Sequence, residues 1–317
     1  MDARNIDTFS ATATTARERL EAWVGSPALD RLVNLFGSRI PDAFAPAERL
    51  TWLDAFSERW DFRRGRERTQ VDITIPDDQA GEIAQAAEAL GLRVTTLPRA
   101  ERYTFVVVLG GIALSCATRS SCAADLVRKG VGASRGVYSL GTNRFVRNEE
   151  RAPVSEVYGF DLSAATEYDA LVEAAQHFFV ARVVRRNALG DPASNTYAAI
   201  TEMAASSGDS VTCLCAPSSD EGRRANTADT YLHFATTSQA TPGSTALLIT
   251  SPIYVPYQFF VAIQHLAVPF GLDIEMIGAP QRGTAAQILA TPANFLQEIR
   301  SAIRGARSLL GALDEQP

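Results

Sequence analysis

The residues most able to do chemistry in this chain stand just after short apolar runs. Leu109-Gly110-Gly111 closes the run Thr104 to Leu109, and Ser115 and Thr118 lie before an expected helix that carries Arg119. Glycines let backbone N–H groups approach a ligand and a helix start favours an anion, so this turn suits a phosphate; a plain strand-to-helix turn is the alternative. It is neither a P-loop nor a dinucleotide fingerprint, because the glycine spacing and the lysine are missing. Gly141-Thr142-Asn143-Arg144 follows the run Gly136 to Leu140. It joins flexible backbone to an amide and to a guanidinium that can grip phosphate or carboxylate with two parallel bonds, although an ordinary polar loop has the same composition. Glu167 opens the next long helical stretch, with Ser163 or Thr166 available as its cap. A first-turn carboxylate is favourable there through the helix dipole alone.

After the run Val211 to Cys215 come Asp220, Glu221, Arg223, Arg224, Asn226 and Thr227. Asn226 is a natural helix cap, yet this polar density exceeds what a connector requires. After Ala246 to Thr250 come Ser251, Tyr254 and Tyr257, and the tyrosines can stack on a base, donate to a phosphate, or simply pack. The candidate acids or bases are therefore Glu167, Asp220 and Glu221. The candidate ligand-binding residues are Gly110, Gly111, Arg119, Thr142, Asn143, Arg144, Asn226, Thr227, Thr250, Ser251, Tyr254 and Tyr257. Ser251 lacks the Gly-x-Ser-x-Gly elbow of a nucleophile. Cys213 and Cys215 share one strand face and read as buried packing residues; with His177, His233, His265, Cys116 and Cys122 the chain has little material for a dedicated metal site.

The elements that must position these residues are short strands, continuously apolar rather than alternating: Thr104 to Leu109, Gly136 to Leu140, Val211 to Cys215, Ala246 to Thr250 and Leu272 to Ile277. Continuous apolarity means that both faces are covered, which predicts an α/β fold with a parallel sheet sandwiched by helices over residues 101–317. The helices are expected at Ala117 to Lys129, Ala164 to Arg185, Ala225 to Ala235, Gln258 to Leu266 and Pro292 to Leu313, with exposed loops at Arg147 to Pro153 and Thr236 to Ser244. Residues 1–100 read as a subdomain. Helical spacing runs to about residue 60, then come the basic run Arg63, Arg64, Arg66, Arg68 and a small β-α-β element: strand Val71 to Ile75, helix Asp77 to Leu90, strand Leu92 to Leu97. In an open parallel sheet ligands bind at the carboxyl ends of the strands, where the residues above fall.

Val108-Leu109-Gly110, Arg119, the Gly141-Thr142-Asn143 turn, Glu167, Glu221 before Asn226-Thr227, and Thr250-Ser251 resemble, in order and spacing, the strand-end motifs of the ElyC/SanA/YdcF-type family. The resemblance covers residues 103 to 280 and implies a Rossmann-like domain. Tyr254 and Tyr257 stand where that family commonly has His and Arg. Chemistry needing that His would not carry over, and an anion held by that Arg would need Arg144, Arg223 or Arg224. The resemblance leaves the cofactor open, S-adenosylmethionine or a divalent cation being compatible with it. Many members are membrane-anchored, an anchor this sequence does not display.

With 36 acidic against 30 basic side chains the net charge is −6, and the basic residues are scattered, which argues against a nucleic-acid partner. Met1 to Arg19 shows no secretory pattern. Phe234 to Leu272 carries no Asp, Glu, Lys or Arg, but Pro252, Pro256 and Pro269 interrupt it, so it reads as loop, strand and buried helix of a cytoplasmic protein, with no membrane partner. The expectation is an enzyme that hydrolyses or transfers a group of a phosphorylated, nucleotide or nucleotide-activated small molecule. The alternatives are a non-catalytic nucleotide- or S-adenosylmethionine-binding regulatory module and an interaction protein using its N-terminal helices; oligomeric state is open.

Overall fold

A computed structural model describes residues 9–62, 75–93, 95–283 and 290–315. The chain opens with β1 (Phe9–Ala11) and the helices α1 (Ala16–Val24), α2 (Pro27–Leu35), α3 (Pro46–Ser57) and α4 (Asp77–Ala89). There follow β2 (Arg102–Tyr103), β3 (Phe105–Leu109), α5 (Ala113–Arg128), β4 (Gly132–Ala133), β5 (Val137–Gly141), α6 (Ala152–Tyr158) and α7 (Glu167–Phe178). Next are β6 (Arg182–Leu189), β7 (Ala198–Ala204), β8 (Ser210–Cys215), α8 (Thr227–Thr237), β9 (Thr245–Thr250), α9 (Val255–Ala262), β10 (Asp273–Gly278) and a C-terminal helix (Pro292–Asp314).

One eight-stranded sheet runs β1-β10-β9-β3-β5-β8-β7-β6. Its five inner strands are parallel. Read from β8 to β10 their chain order is 3-2-1-4-5, so the order reverses between β3 and β9. That reversal opens a crevice at the carboxyl ends of these two strands, because the connections leave β3 and β9 toward opposite faces.

The side chains of β3 explain the layers. All five residues are buried, and they alternate between two cores. Phe105, Val107 and Leu109 enter the core formed with α8, α9, the C-terminal helix and the N-terminal helices. Val106 and Val108 enter the core under α5, α6 and α7. Residues 9–62 thus share a core with the sheet: the C-terminal helix packs on α1, α3, α4 and α9, and Trp23 meets Phe260 edge to face at 5.3 Å. The uncharged stretch Phe234 to Leu272 resolves into the end of α8, a loop, β9 and α9; no helix among the described residues is long and apolar enough to cross a membrane.

The five expected strands and their α/β arrangement are present. Four details differ. The sheet is not wholly parallel, since β1, β6 and β7 pair antiparallel at its edges. The helix expected over Ala164 to Arg185 ends at Phe178; Val180, at a φ of 50°, breaks it, and the β-branched pair Val183-Val184 enters an edge strand that hairpins through Gly190. The expected loop Arg147 to Pro153 instead holds a turn of 3-10 helix (Asn148–Glu150) and the start of α6, which has Pro153 in its first turn where no N–H is needed. Of the β-α-β element, the helix is α4, residues 92–93 and 95–97 form no strand, and residues 71–74, like the basic run Arg63, Arg64, Arg66, Arg68, lie outside the described residues.

Candidate active site

A cavity of about 480 Å³ opens at the carboxyl ends of β3, β5 and β8. Glu167 lines it as the first residue of α7, a helix set by a reciprocal cap: Thr166 Oγ1 accepts from Asp169 N and Asp169 Oδ2 accepts from Thr166 N, both at 3.2 Å. The carboxylate accepts from Thr142 Oγ1 at 3.1 Å, and Arg144 Nε is 3.5 Å away. A Cβ at position 110 would collide with Glu167 Oε1 and stand 2.6 Å from Leu140 O, so only glycine leaves the carboxylate room. Burial raises the Glu167 carboxyl above its ordinary value of 4.5, against the opposing pull of Arg144, Thr142 and Arg119.

Arg144 is fixed by Glu150, whose two oxygens accept from Nη1 and Nη2 at 2.7 and 2.9 Å, and by Gly111 O at 3.0 Å. Glu150 also accepts from Ala113 N at the start of α5. Burial works to raise its pKa, but the bonds from Arg144 and this amide outweigh it and hold Glu150 below the usual range. Across the cavity Arg223 meets Asp229 at 2.6 Å. Asp229 and Asn226 cap α8 reciprocally, with Asp229 N donating to Asn226 Oδ1 at 3.0 Å and Asn226 N to Asp229 Oδ2 at 2.8 Å. Partial burial raises the Asp229 carboxyl, and Arg223 with these amides reverses that and lowers it to about 2.

The structure brings Gly110, Thr142, Arg144, Glu167, Asn226 and Thr227 onto one cavity wall, with Arg223, Arg224, Thr230 and Gln258. Gly111 contributes its carbonyl to Arg144, and the fully buried Thr250 donates to Gln258 Oε1. Asn143 donates to Ser194 O and lines an adjoining recess of about 220 Å³ with Phe145, Arg147, Ala193 and Asn195; this recess shares Arg144 and Arg224 with the main cavity.

Six candidates are placed otherwise, Ser251 among them as a buried residue outside the cavity lining. Asp220 and Glu221 are exposed and outside the cavity lining; Asp220 Oδ1 accepts from Gly222 N within its own turn, and Glu221 offers only its carbonyl, to Asn195. The turn aims both carboxylates outward, and the acid of this segment that packs inward is Asp229, in the first turn of α8. Arg119 is buried beneath the site rather than in it: Nη1 donates to Leu109 O at 2.8 Å and also to Gly110 O, while Nη2 donates to Ser251 Oγ at 3.0 Å. It therefore pins the ends of β3 and β9 together at the strand-order reversal. Tyr254 is buried under the Arg119 guanidinium, and the ring of Tyr257 faces Gly305 of the C-terminal helix. The chain enters 3-10 and α-helix directly after Ser251, which turns both tyrosines into the packing.

Sequence reasoning passed over Glu150, Asp229, Gln258 and Phe145. Asp229 was legible as the third residue after the cap Asn226, a capping-box position. The others had no local signal. All four cysteines are free thiols, and burial pushes Cys213 up to about 12. Among the described residues no three His, Cys, Asp or Glu side chains group closely enough to hold a metal ion.

Residues 7–91 match the family described as the Rv3785 N-terminal domain. The uncharacterized protein Mb3814 of Mycobacterium bovis and the uncharacterized proteins MT3893 and Rv3785 of Mycobacterium tuberculosis are each 30% identical to this chain over 330 aligned positions, covering 95% of it and 91% of the relative. No solved structure matches.

Proposed function

This chain belongs to the family of the mycobacterial protein Rv3785, and from the chemistry of its strand-end cavity we propose that it binds a phosphorylated or nucleotide-like small molecule and transforms it by hydrolysis or group transfer. The observation that carries this reading is a carboxyl group of raised pKa on the cavity wall, facing a lining that includes the guanidiniums of Arg144, Arg223 and Arg224. A buried carboxyl set beside these groups can give a proton to a leaving oxygen in its acid form or take one from an attacking hydroxyl as carboxylate, and burial that raises its pKa favours the acid form. Arg223 and Arg224 supply charge for an anion, and Thr227 adds an N–H from the first turn of α8 that no helix carbonyl occupies.

The test is a thermal-shift panel of nucleotides, sugar phosphates, nucleotide sugars and S-adenosylmethionine, with and without magnesium, followed by turnover assays on the hits. A ligand at a hundred times its Kd stabilises the protein by about 2.7 kcal/mol. Arg223→Ala with Arg224→Ala is expected to abolish the shift, and Glu167→Gln to keep it while turnover stops. Silence across the panel overturns the proposal. One observation favours a second reading: Glu167 is the sole carboxylate on the described cavity wall, and no histidine joins it. A ligand-binding regulatory module is then the reading to adopt if wild type and Glu167→Gln bind the same compound equally and neither turns it over.

A further inference from the structure

The ring of Phe145 is 70% exposed, yet its backbone is firmly held. Phe145 forms an isolated antiparallel bridge with Thr166 at the start of α7; the flanking bonds are Val146 N to Ala165 O at 2.9 Å and Glu167 N to Arg144 O at 2.8 Å. The same clamp that sets Glu167 in the cavity therefore holds an aromatic ring out into solvent one residue beyond Arg144. Its surroundings are specific. The ring lines the recess that shares Arg144 and Arg224 with the main cavity, and the facing wall is Ala193 and Asn195 from the tip of the β6–β7 hairpin. That wall is tied in place, since Asn195 Nδ2 donates to Glu221 O at 2.9 Å and Asn143 Nδ2 to Ser194 O.

Beside the guanidiniums of Arg144, Arg147 and Arg224, the recess offers an apolar ring, an alanine and two amides, which suit a flat, polar-edged heterocycle. The π face accepts stacking from any base, while amide groups pair with ring nitrogens and exocyclic groups. Because Arg144 and Arg224 border both compartments, one molecule can span them. We propose that the recess is a nucleobase subsite: the ligand is a nucleotide whose base stacks on Phe145 and whose phosphates reach the main cavity beside Arg223 and Arg224. This inference rests on the anion-binding reading of that cavity and adds the chemical class of the rest of the molecule. It also moves the stacking role from Tyr254 and Tyr257, which are packed into the fold, to a ring that is accessible.

Calorimetric titrations with ADP, GDP, CDP, UDP, ribose 5-phosphate and inorganic pyrophosphate on wild type, Phe145→Ala and Phe145→Trp test it. At least one nucleoside diphosphate is expected to bind about ten-fold or more tighter than ribose 5-phosphate; Phe145→Ala should erase about ten-fold of that affinity and leave pyrophosphate binding unchanged. Phe145→Trp should retain the affinity, and its added indole fluorescence should be quenched by the nucleotide and not by pyrophosphate. Pyrophosphate binding with no gain from a base, or nucleotide binding indifferent to Phe145→Ala, overturns the subsite and leaves the anion-binding reading standing. Failure of every phosphate compound to bind wild type overturns both.

Discussion

A carboxylate at the first position of a helix normally benefits from the helix dipole and from water, both of which ease its ionisation. Glu167 has the dipole, Thr142 and a nearby guanidinium, but burial outweighs them and its pKa is raised. The linkage sign follows: with a folded-state pKa above the unfolded one, Glu167 favours folding most below its ordinary value of 4.5, and that contribution is lost as pH rises through the folded-state value. Glu167→Gln has no such proton to lose. Urea unfolding from pH 4.5 to 8 should therefore show wild type losing stability relative to the variant as pH rises; parallel profiles would place Glu167 outside the titrating set. If the protein is an enzyme, the same substitution should lower kcat by about 10²–10⁴-fold, the usual worth of a positioned acid or base. The sequence marked Glu167 and the Gly-Thr-Asn-Arg turn as candidates. Asp229 stood at the capping-box position three residues after Asn226, a local signal that singles it out over the exposed Asp220.

Among elements, the turn after β3 carries the tightest constraint. Gly110 sits between the end of β5 and the Glu167 carboxylate, so Gly110→Ala must push back either a strand carbonyl or the site's acid. Overpacking of this kind costs about 1–3 kcal/mol, measurable as a lower urea midpoint at unchanged m-value, and should also weaken ligand binding. A variant as stable as wild type would show that the carboxylate has other room. Most of the elements around that turn were legible as apolar runs with breaks. The edge strands β1, β6 and β7 and the helix α6 were not, and β6 follows from the same rules applied at an edge. All eight of its residues are exposed, so no burial pattern distinguishes it from a helical surface, and the β-branched pair with the positive φ at Val180 decides the matter locally.

At the scale of the whole molecule, the N-terminal helices and the sheet share one apolar core. Trp23 joins them, donating Nε1 to Leu90 O at 3.1 Å and packing on Phe260 of α9. Trp23→Ala should cost about 3–5 kcal/mol. The loss is expected to appear in one cooperative transition seen alike by far-UV circular dichroism and by fluorescence of the remaining tryptophans; two separate transitions would mean that the two regions unfold independently. The amino-acid sequence by itself determined the layers: strands apolar on both faces require helices on both sides, and glycines and polar residues at their ends require strand-end loops. Tertiary structure alone decided which of those loops meet. Strand order is a matter of pairing between segments as distant as β3 and β9, where Arg119 binds Ser251 across 132 positions. The raised pKa of Glu167 is likewise a product of burial among neighbours brought from elsewhere in the chain, Thr142 and Arg144 included, and no local pattern encodes it. Tyr254 and Tyr257 show the converse: good ligand-binding types by composition, they are consumed by the core because the chain turns into helix immediately after β9.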